Sequence, residues 1–539
     1  MVNLPGQAAG RSWSGCGAVM VTRRAIHDRA FRPANQVVPV LERDFAPQVA
    51  ERLRILIVDL NNFVAFPTLT IGILVAALRK SGHEVRVLCP LAYDVPAAER
   101  ERQETWLDHL KRRMHMTETA LFRVPRNIAR NVYYSSLEMP HATVIREVAK
   151  ALADRPDIIL LSAYFQHFHT VRQIGKLASK ERIPALLGGP MFNNSAATEV
   201  WRQIPGIVGI VGAESDLTIA ALVEAVCGKR SLTSFAGMTM PDGRRTQEAP
   251  PLRHLDDVPM ADFSDFPWDR YRVRVIPMMA GRGCQWDRCT FCSDVVTVSG
   301  RSFRTRSVQN VVLEMQEQSR RCATTNFVFL DLKLNSHPDM IRCIAAEIQS
   351  HVFGAEWVGT VHVDLRKDNG LSSSDLKAAA LGGMRRINFG LESGSQDLLD
   401  RMDKGTSVER NSQFIHDAYE AGLSVRCSMF KGYPGETAAD VEQTAKFLLD
   451  HVKYIDRIRF SDFSLLDDTP IYNDLKKDRS PAAVLRVTKR LDRKAKAEYV
   501  AHRPNRKAYS RALLEVLRMV HEINRRPIRM SARQFDGLM

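Results

Sequence analysis

Three of the chain's nine cysteines lie within nine residues of one another, and this cluster most constrains what the chain can fold into. Cys284, Cys289 and Cys292 come shortly after an apolar run at 275–280 and stand among glycines and polar side chains. Core cysteines need no such surroundings, whereas three closely spaced thiolates suit a metal centre. The sequence therefore predicts a metal site in a loop that follows a buried strand.

Two kinds of metal centre are compatible with three cysteines. Three thiolates can hold three irons of a cubane [4Fe–4S] cluster and leave the fourth iron open to a small molecule. Structural zinc needs four ligands and catalytic zinc keeps one position open, but the nearest histidines, His254 and His337, lie outside the loop. We expect an iron–sulfur cluster, with zinc and a chance group of core cysteines as the alternatives.

The length, the remaining cysteines and the hydropathy limit the class of protein. A chain of 539 residues exceeds one ordinary core and should divide into two or three domains. The other cysteines show no pairing pattern, which indicates a reducing cytoplasm and no second cluster. No apolar run reaches the roughly 20 residues of a membrane span, so we expect no membrane partner.

The sequence before the cysteines has the pattern of an α/β domain. Five apolar runs alternate with helical patterns, at 54–59, 84–88, 157–162, 184–190 and 207–211. This alternation predicts a doubly wound, Rossmann-like sheet that binds its ligand at the carboxyl ends of the strands. Ser162, Gly188, Gly189 and Gly212 stand at such ends, and glycine there would let the backbone approach a ligand.

A second alternating series starts at the cysteines. Six candidate strands lie at 276–280, 326–331, 357–362, 386–390, 425–430 and 457–460. With helices between them they predict a partial (β/α)6 barrel, whose chemistry takes place at the carboxyl ends of its strands. Polar or turn residues follow three of these strands, namely Asp331, Asn335, Glu392, Ser393, Gly432 and Glu436. The segment 475–539 contains 18 Lys and Arg against 6 Asp and Glu and is expected to be helical.

The apolar strand, the Arg-Gly-Cys turn and Phe291 before the last cysteine resemble the radical S-adenosylmethionine (SAM) superfamily, in which SAM chelates the open iron. The first gap between cysteines is four residues here, against the usual three. The first domain, with Gly-Gly-Pro after one strand and Gly-Ala-Glu-Ser after the next, resembles the cobalamin-binding domain of cobalamin-dependent radical SAM enzymes. The resemblance implies three cofactors: a [4Fe–4S] cluster on Cys284, Cys289 and Cys292, SAM and cobalamin.

The same resemblance implies the remaining contacts. Cobalamin would be met by Asn61, Asn62, Ser162, Gly188, Gly189, Gly212 and Glu214. SAM would be met by Asp331, Asn335, Glu392, Ser393, Gly432 and Glu436. The histidine that ligates cobalt from below in cobalamin mutases has no counterpart after the first strand, so this face of cobalt is expected to be open or to lie near Asn61.

The expected function is a cobalamin-dependent radical SAM methyltransferase acting on an unactivated carbon, or on phosphorus, of a peptide or natural product. Its expected partners are that peptide or small-molecule substrate and a flavodoxin- or ferredoxin-type electron donor, without nucleic acid. The alternatives are a cyclase or rearrangement enzyme of the same fold and a non-catalytic cobalamin-binding regulator. The expected parts are an extension (1–50), a cobalamin-binding domain (51–230), a linker (231–272), a radical SAM domain (273–470) and a basic helical region (471–539).

Overall fold

The structure is a computed structural model that describes residues 52–538, except 63, 94, 96–101, 301, 366–369, 478–484 and 504. The expected extension at 1–50 thus lies outside the described residues. Arg52–Met539 belong to a single unit, in which the two predicted α/β domains contact each other. Within the described residues, no helix combines the length and the apolar character that crossing a bilayer requires.

The first sheet confirms the doubly wound arrangement. Its strands are β1 (Arg54–Asp59), β2 (Glu84–Leu88), β3 (Ile158–Ser162), β4 (Ala185–Gly188), β5 (Ile207–Val211) and β6 (Met238–Thr239). They lie in the order β2-β1-β3-β4-β5-β6, and only β6 is antiparallel to its neighbour. Side chains of β1 alternate between two cores, since Ile55 and Ile57 pack on one face and Leu56 and Val58 on the other.

Seven helices accompany this sheet. They are α1 (Leu69–Lys80), α2 (Trp106–Met116), α3 (Ala120–Leu137), α4 (Ala142–Leu152), α5 (Phe168–Glu181), α6 (Ser195–Trp201) and α7 (Ile219–Cys227). Helices α2 to α4 form an insertion between β2 and β3. Because every parallel crossover carries a helix, both faces of the sheet are covered and the strands are apolar on both sides.

The second sheet has the topology of an open (β/α)6 barrel. Its parallel strands are β7 (Ile276–Met278), β10 (Asn326–Phe329), β11 (Glu356–Val361), β12 (Met384–Glu392), β13 (Ser424–Lys431) and β14 (Arg457–Asp462), adjacent in sequence order. Two short strands, β8 (Gly281–Arg282) and β9 (Arg304–Thr305), pair antiparallel after β7. The helices are α8 (Val308–Cys322), α9 (Pro338–His351), α10 (Ser373–Leu381), α11 (Gln396–Arg401), α12 (Val408–Glu420) and α13 (Ala438–His451).

The C-terminal region corrects the expectation of an all-helical segment. It contains β15 (Leu465–Leu466), α14 (Pro470–Lys476), β16 (Leu485–Leu491), β17 (Lys496–Ala501) and α15 (Arg506–Asn524). Strands β16 and β17 form an antiparallel hairpin that pairs Val487 with Tyr499. Residues of these types favour strands when they can pair across a sheet, and the basic composition of the segment hid this pattern.

A buried tryptophan attaches that hairpin to the first domain. Trp201 is fully buried, and its indole N–H donates to the carbonyl of Arg493, in the hairpin turn, at 3.0 Å. The rings of Phe165, Phe168 and Phe192 surround it, with centroids 5.0–6.1 Å away. The C-terminal region therefore bridges the barrel and the first sheet.

We predict that Trp201→Ala lowers the free energy of unfolding by about 3–5 kcal/mol, because it leaves a cavity and an unpaired carbonyl. Trypsin should also cleave the hairpin turn around Arg493 faster in this variant. Urea unfolding followed by circular dichroism measures the first effect. The matched control is Trp106→Ala, at a side chain that is 61% exposed. Equal losses in the two variants would contradict the anchoring role.

Candidate functional site

The cysteine loop starts where β7 ends and is held there by a buried carboxylate. Asp331, which follows β10, accepts hydrogen bonds from the backbone N–H groups of Ala280 (3.0 Å) and Gly281 (2.5 Å). Gly283 takes the left-handed φ of +78°, and an added Cβ would lie 2.0 Å from the carbonyl oxygen of Ser302. In this structure Asp331 positions the loop, and its predicted contact with SAM stays a prediction.

The longer gap between the first two cysteines anchors the loop on a turn at 402–405. The indole N–H of Trp286 donates to the carbonyl of Asp403 at 2.7 Å, and Arg288 pairs with the Asp403 carboxylate at 3.0 Å. The indole ring occupies the space above Gly405, where an added Cβ would lie 2.2 Å away. The four-residue gap thus carries two of the side chains that hold the loop in place.

The same turn brings Lys404 to the cysteines. Its ammonium lies 5.6 Å from the centroid of the Phe291 ring and donates to Glu392 at 3.2 Å, with both charged groups buried. Burial lowers the pKa of Lys404, but Glu392 and Cys289 together raise it above its usual value. Lys404 is therefore a cation beside the thiols. Lys404 was not predicted from the sequence, because only the folded turn, with positive φ at Asp403 and Gly405, brings it to the cysteines.

The donor set fits a [4Fe–4S] cluster. Burial raises the pKa of the Cys292 thiol to about 12 and also raises that of Cys289. Thiols in such surroundings lose their protons to a strong positive charge, which bound iron supplies. Among the described residues no group of His, Cys, Asp or Glu is arranged around a single metal ion. A cubane has no such requirement, because each cysteine binds a different iron.

Two predicted SAM contacts have structural roles. The Asn335 side chain is fully buried and exchanges hydrogen bonds of 2.9 and 3.0 Å with the backbone of His362. The Ser393 hydroxyl bonds with that of Thr444 at 3.0 Å and accepts the N–H of Ser395. Both groups join neighbouring segments at the carboxyl ends of barrel strands, and contact with SAM is not needed to explain their burial.

The structure adds polar groups at the carboxyl end of β11 that the sequence analysis missed. Burial, Lys404 and Lys333 lower the pKa of His362 to about 2, so its imidazole is neutral. Its Nε2 is buried and has no hydrogen-bond partner in the described part of the chain. Lys333, which follows β10, and Asp364, which follows β11, form a buried ion pair of 2.7 Å. A buried nitrogen without a partner at a strand end is a candidate ligand contact, and its place directly after a strand was the available signal.

Gly432 and Glu436 are covered by the C-terminal region. The Glu436 carboxylate accepts the N–H of Gly432 at 2.6 Å and the hydroxyl of Tyr509 at 2.5 Å. The hydroxyl of Tyr499 donates to the carbonyl of Gly432 at 2.9 Å. Gly432 itself has a φ of +89°, which favours glycine. Their predicted place beside the adenine of SAM stays a prediction, while the observed contacts attach β13 to the C-terminal helix.

A cavity of about 190 Å³ opens at the carboxyl ends of the first sheet. Ser162, Gly188 and Gly189 line it, together with Glu214 and Arg282. An added Cβ at Gly188 would meet no atom closer than 3.9 Å, so the space above this glycine belongs to the cavity. A cavity of this size, apolar along the strands and polar at their ends, fits part of a large ligand such as an aromatic base.

Two of the predicted positions require glycine for a reason other than the approach of a ligand. An added Cβ at Gly212 would lie 2.5 Å from the carbonyl oxygen of Phe192, and one at Gly189 would lie 2.1 Å from that of Ala163. Both positions therefore need glycine for packing of the backbone against itself. Gly189 still borders the cavity, whereas Gly212 is absent from its lining.

The first turn after β1 carries the two predicted asparagines. Asn61 and Asn62 are partly buried. The N–H of Asn61 donates to buried Asp59 at 2.9 Å, and its side chain donates to Thr68 at 3.2 Å. Thr68 lines the cavity, so this turn borders the space without the asparagines lining it themselves.

Four buried charges join the cavity to the cysteine loop. Arg282, two residues before the first cysteine, makes two hydrogen bonds of 2.8 and 2.9 Å with Asp216 and an ion pair of 3.1 Å with Glu214. Arg304 of β9 pairs with Glu214 at 2.6 Å. These side chains are at most 10% exposed. We call Glu214, Asp216, Arg282 and Arg304 the ion-pair cluster. Glu214, predicted as a cobalamin contact, lines the cavity and belongs to this cluster.

Comparison with known proteins agrees with this geometry. Residues 278–448 match the family model described as the Radical SAM superfamily. The chain carries a radical SAM domain. The match begins inside β7, contains the three cysteines and ends in α13. The resemblance that the cysteine motif indicates is thereby confirmed.

Three relatives extend the comparison. An uncharacterized methyltransferase of Pyrococcus horikoshii is 26% identical over 54% of this chain and 64% of its own length. An anaerobic magnesium-protoporphyrin IX monomethyl ester cyclase of Rubrivivax gelatinosus is 25% identical over 55% of this chain and 54% of its own. The solved structure of the radical SAM methyltransferase TsrM of Kitasatospora setae, with cobalamin and a [4Fe–4S] cluster, has a TM-score of 0.60 at 15% identity, over 87% of this chain and 91% of that one. The chain thus has the fold of TsrM and spans about half to two thirds of the two curated relatives.

We predict that Arg282→Met loosens the radical SAM domain from the first sheet. The change removes a positive charge that pairs with the buried carboxylates of Glu214 and Asp216. This loss should lower the free energy of unfolding by about 3–5 kcal/mol. Hydrogen exchange of the amides at 281–292 should become faster. The matched control is Arg320→Met, which removes an arginine whose side chain is 71% exposed. The double variant Arg282→Met/Asp216→Asn should recover part of the loss, and a loss equal to that of the control would contradict the role of the cluster.

A pH-dependent prediction concerns Asp59. Burial raises its pKa to about 6, above the unfolded value of 3.8. The native state is therefore stabilised by the protonated acid at low pH and loses this contribution as the pH rises through about 6. Asp59→Asn lacks the titration, so between about pH 4 and about pH 8 it should gain about 2 kcal/mol relative to the natural chain. Urea unfolding at both pH values measures this. Asp154→Asn, at a side chain that is 71% exposed, should show no such gain.

Proposed function

We propose that the chain is a cobalamin-dependent radical SAM methyltransferase. The observation that carries this proposal is the cavity of the first sheet, which is lined by Arg282 from the cysteine loop. A ligand in that cavity would lie against the loop that holds the cluster. The fold shared with TsrM supports the same arrangement.

The residues of the chain have separate tasks in this proposal. Cys284, Cys289 and Cys292 would hold the cluster. Lys404 offers a cation, and the Nε2 of His362 an unused polar atom, for the amino-acid part of SAM. When bound, the three cofactors would supply reductive cleavage of SAM, a 5′-deoxyadenosyl radical and a transferable methyl group. The protein excludes water and holds the sites in register, chiefly through the ion-pair cluster.

The proposed substrate is a peptide or natural product that is methylated at an unactivated carbon or at phosphorus. An external flavodoxin- or ferredoxin-type protein would deliver the electron. None of the eight cysteines that the structure describes forms a disulfide, which supports a reducing, cytoplasmic setting.

A second candidate is a radical SAM cyclase, favoured by the similarity to the magnesium-protoporphyrin ester cyclase. The products separate the two. Methyl transfer should yield S-adenosylhomocysteine together with 5′-deoxyadenosine, whereas cyclisation should yield 5′-deoxyadenosine alone. A non-catalytic cobalamin-binding regulator would bind the corrinoid and cleave no SAM after reduction.

The test uses the full chain, reconstituted without oxygen with iron, sulfide and hydroxocobalamin. We predict that Cys289→Ala abolishes SAM cleavage, because one iron loses its ligand, while corrinoid absorbance stays at the level of the natural chain. The matched control is Cys343→Ala, at a cysteine that is 8% exposed against 9% for Cys289 but lies in helix α9. A protein that takes up neither iron nor corrinoid would refute the proposal.

A further inference from the structure

Helices α2 and α3 present apolar side chains to solvent. In α2, Leu107, Leu110 and Met114 are 62%, 41% and 65% exposed, at the i, i+3, i+7 spacing of one helical stripe. The opposite side of α2 is buried at His109 and Met116. This helix therefore carries an exposed apolar stripe on the side opposite its buried residues.

Helix α3 repeats the pattern. Val124, Ile128 and Val132 are 63%, 60% and 66% exposed and lie four residues apart on one stripe. Scattered exposed apolar residues are common, but stripes on two consecutive helices are typical of an interaction surface. We call these six side chains of α2 and α3 the apolar stripes.

The charge around the stripes is positive. Lys111 and Arg113 of α2 are exposed, and α3 contains no acidic residue in its 18 positions. Residues 106–137, which comprise α2, α3 and the link between them, contain two carboxylates, and both are engaged elsewhere. Asp108 caps α2 and Glu118 pairs with Lys431 at 2.9 Å. Helix α15 packs against α2 and adds exposed Lys507 and Arg511.

Helices α2 and α3 lie beside the carboxyl ends of the barrel strands. Lys431 and Asp462 end strands β13 and β14. They pair at 2.9 Å with Glu118, which lies between α2 and α3, and with Arg130 of α3. A surface that docks on the stripes would therefore lie next to the carboxyl ends of the barrel strands.

We propose that the apolar stripes seat the protein on an anionic lipid surface. A bilayer interface accepts exposed amphipathic helices whose apolar stripes are flanked by cations, which is the pattern of α2 and α3. Anionic head groups complement Lys111 and Arg113. The sequence-based expectation of no membrane partner considered only spanning segments, and a helix that lies in the interface needs none. The inference is independent of the proposed enzymatic function.

Vesicle co-sedimentation of the full chain tests this inference. The probes are vesicles of phosphatidylcholine alone and of equal parts phosphatidylcholine and phosphatidylglycerol. The natural chain should bind the anionic vesicles at least about tenfold more tightly than the neutral ones. Leu110→Asp/Ile128→Asp and Lys111→Glu/Arg113→Glu should each weaken that binding by about tenfold or more. All four positions are exposed. Thermal unfolding followed by circular dichroism verifies that the variants remain folded.

The matched control is Phe353→Asp, because Phe353 is 94% exposed but follows α9 at the opposite end of the barrel strands. It should bind vesicles like the natural chain. Absence of vesicle binding by the natural chain, or equal binding by the stripe variants, overturns the proposal. A dimer that dissociates in the stripe variants without any vesicle binding also overturns it, since a second copy would then be the occupant.

Discussion

The ion-pair cluster is the interaction on which the arrangement of the two sheets depends. Glu214 and Asp216 follow β5, the last parallel strand of the first sheet. Arg282 and Arg304 belong to the short strands β8 and β9, which follow β7. Buried charges are stable only when they are paired and hydrogen-bonded. In either sheet alone these charges would be exposed to solvent or buried without a partner. The cluster therefore favours the packing that brings the cavity and the cysteine loop together.

The polar groups at the strand ends of the barrel show how a binding site is built from structural parts. Asp331 and Asn335 form hydrogen bonds with backbone groups. Asp331 thereby holds the loop that carries the cysteines, and Asn335 holds the segment at His362. Lys404 reaches the cysteines because Trp286 and Arg288 hold the 402–405 turn. A rigid shell of this kind lowers the cost of holding ligands in a defined geometry.

The C-terminal region and the helical insertion meet at one edge of the barrel. Tyr499 and Tyr509 close over the turn at Gly432, and Glu118 reaches Lys431 from the insertion. Segments far apart in the chain thus cover the same strand ends.

The sequence by itself determined that the chain forms two α/β sheets and where most of their strands lie, because buried parallel strands are continuous apolar runs. It also predicted the cysteine ligands, because metal ligands cluster locally. It also located Ser162 and Gly188 beside the cavity. Only the tertiary structure decided that Gly212 serves backbone packing, that 485–501 forms a hairpin and that Lys404 joins the cysteines. These features depend on contacts between residues distant in the chain, and local patterns of hydrophobicity carry no record of such contacts.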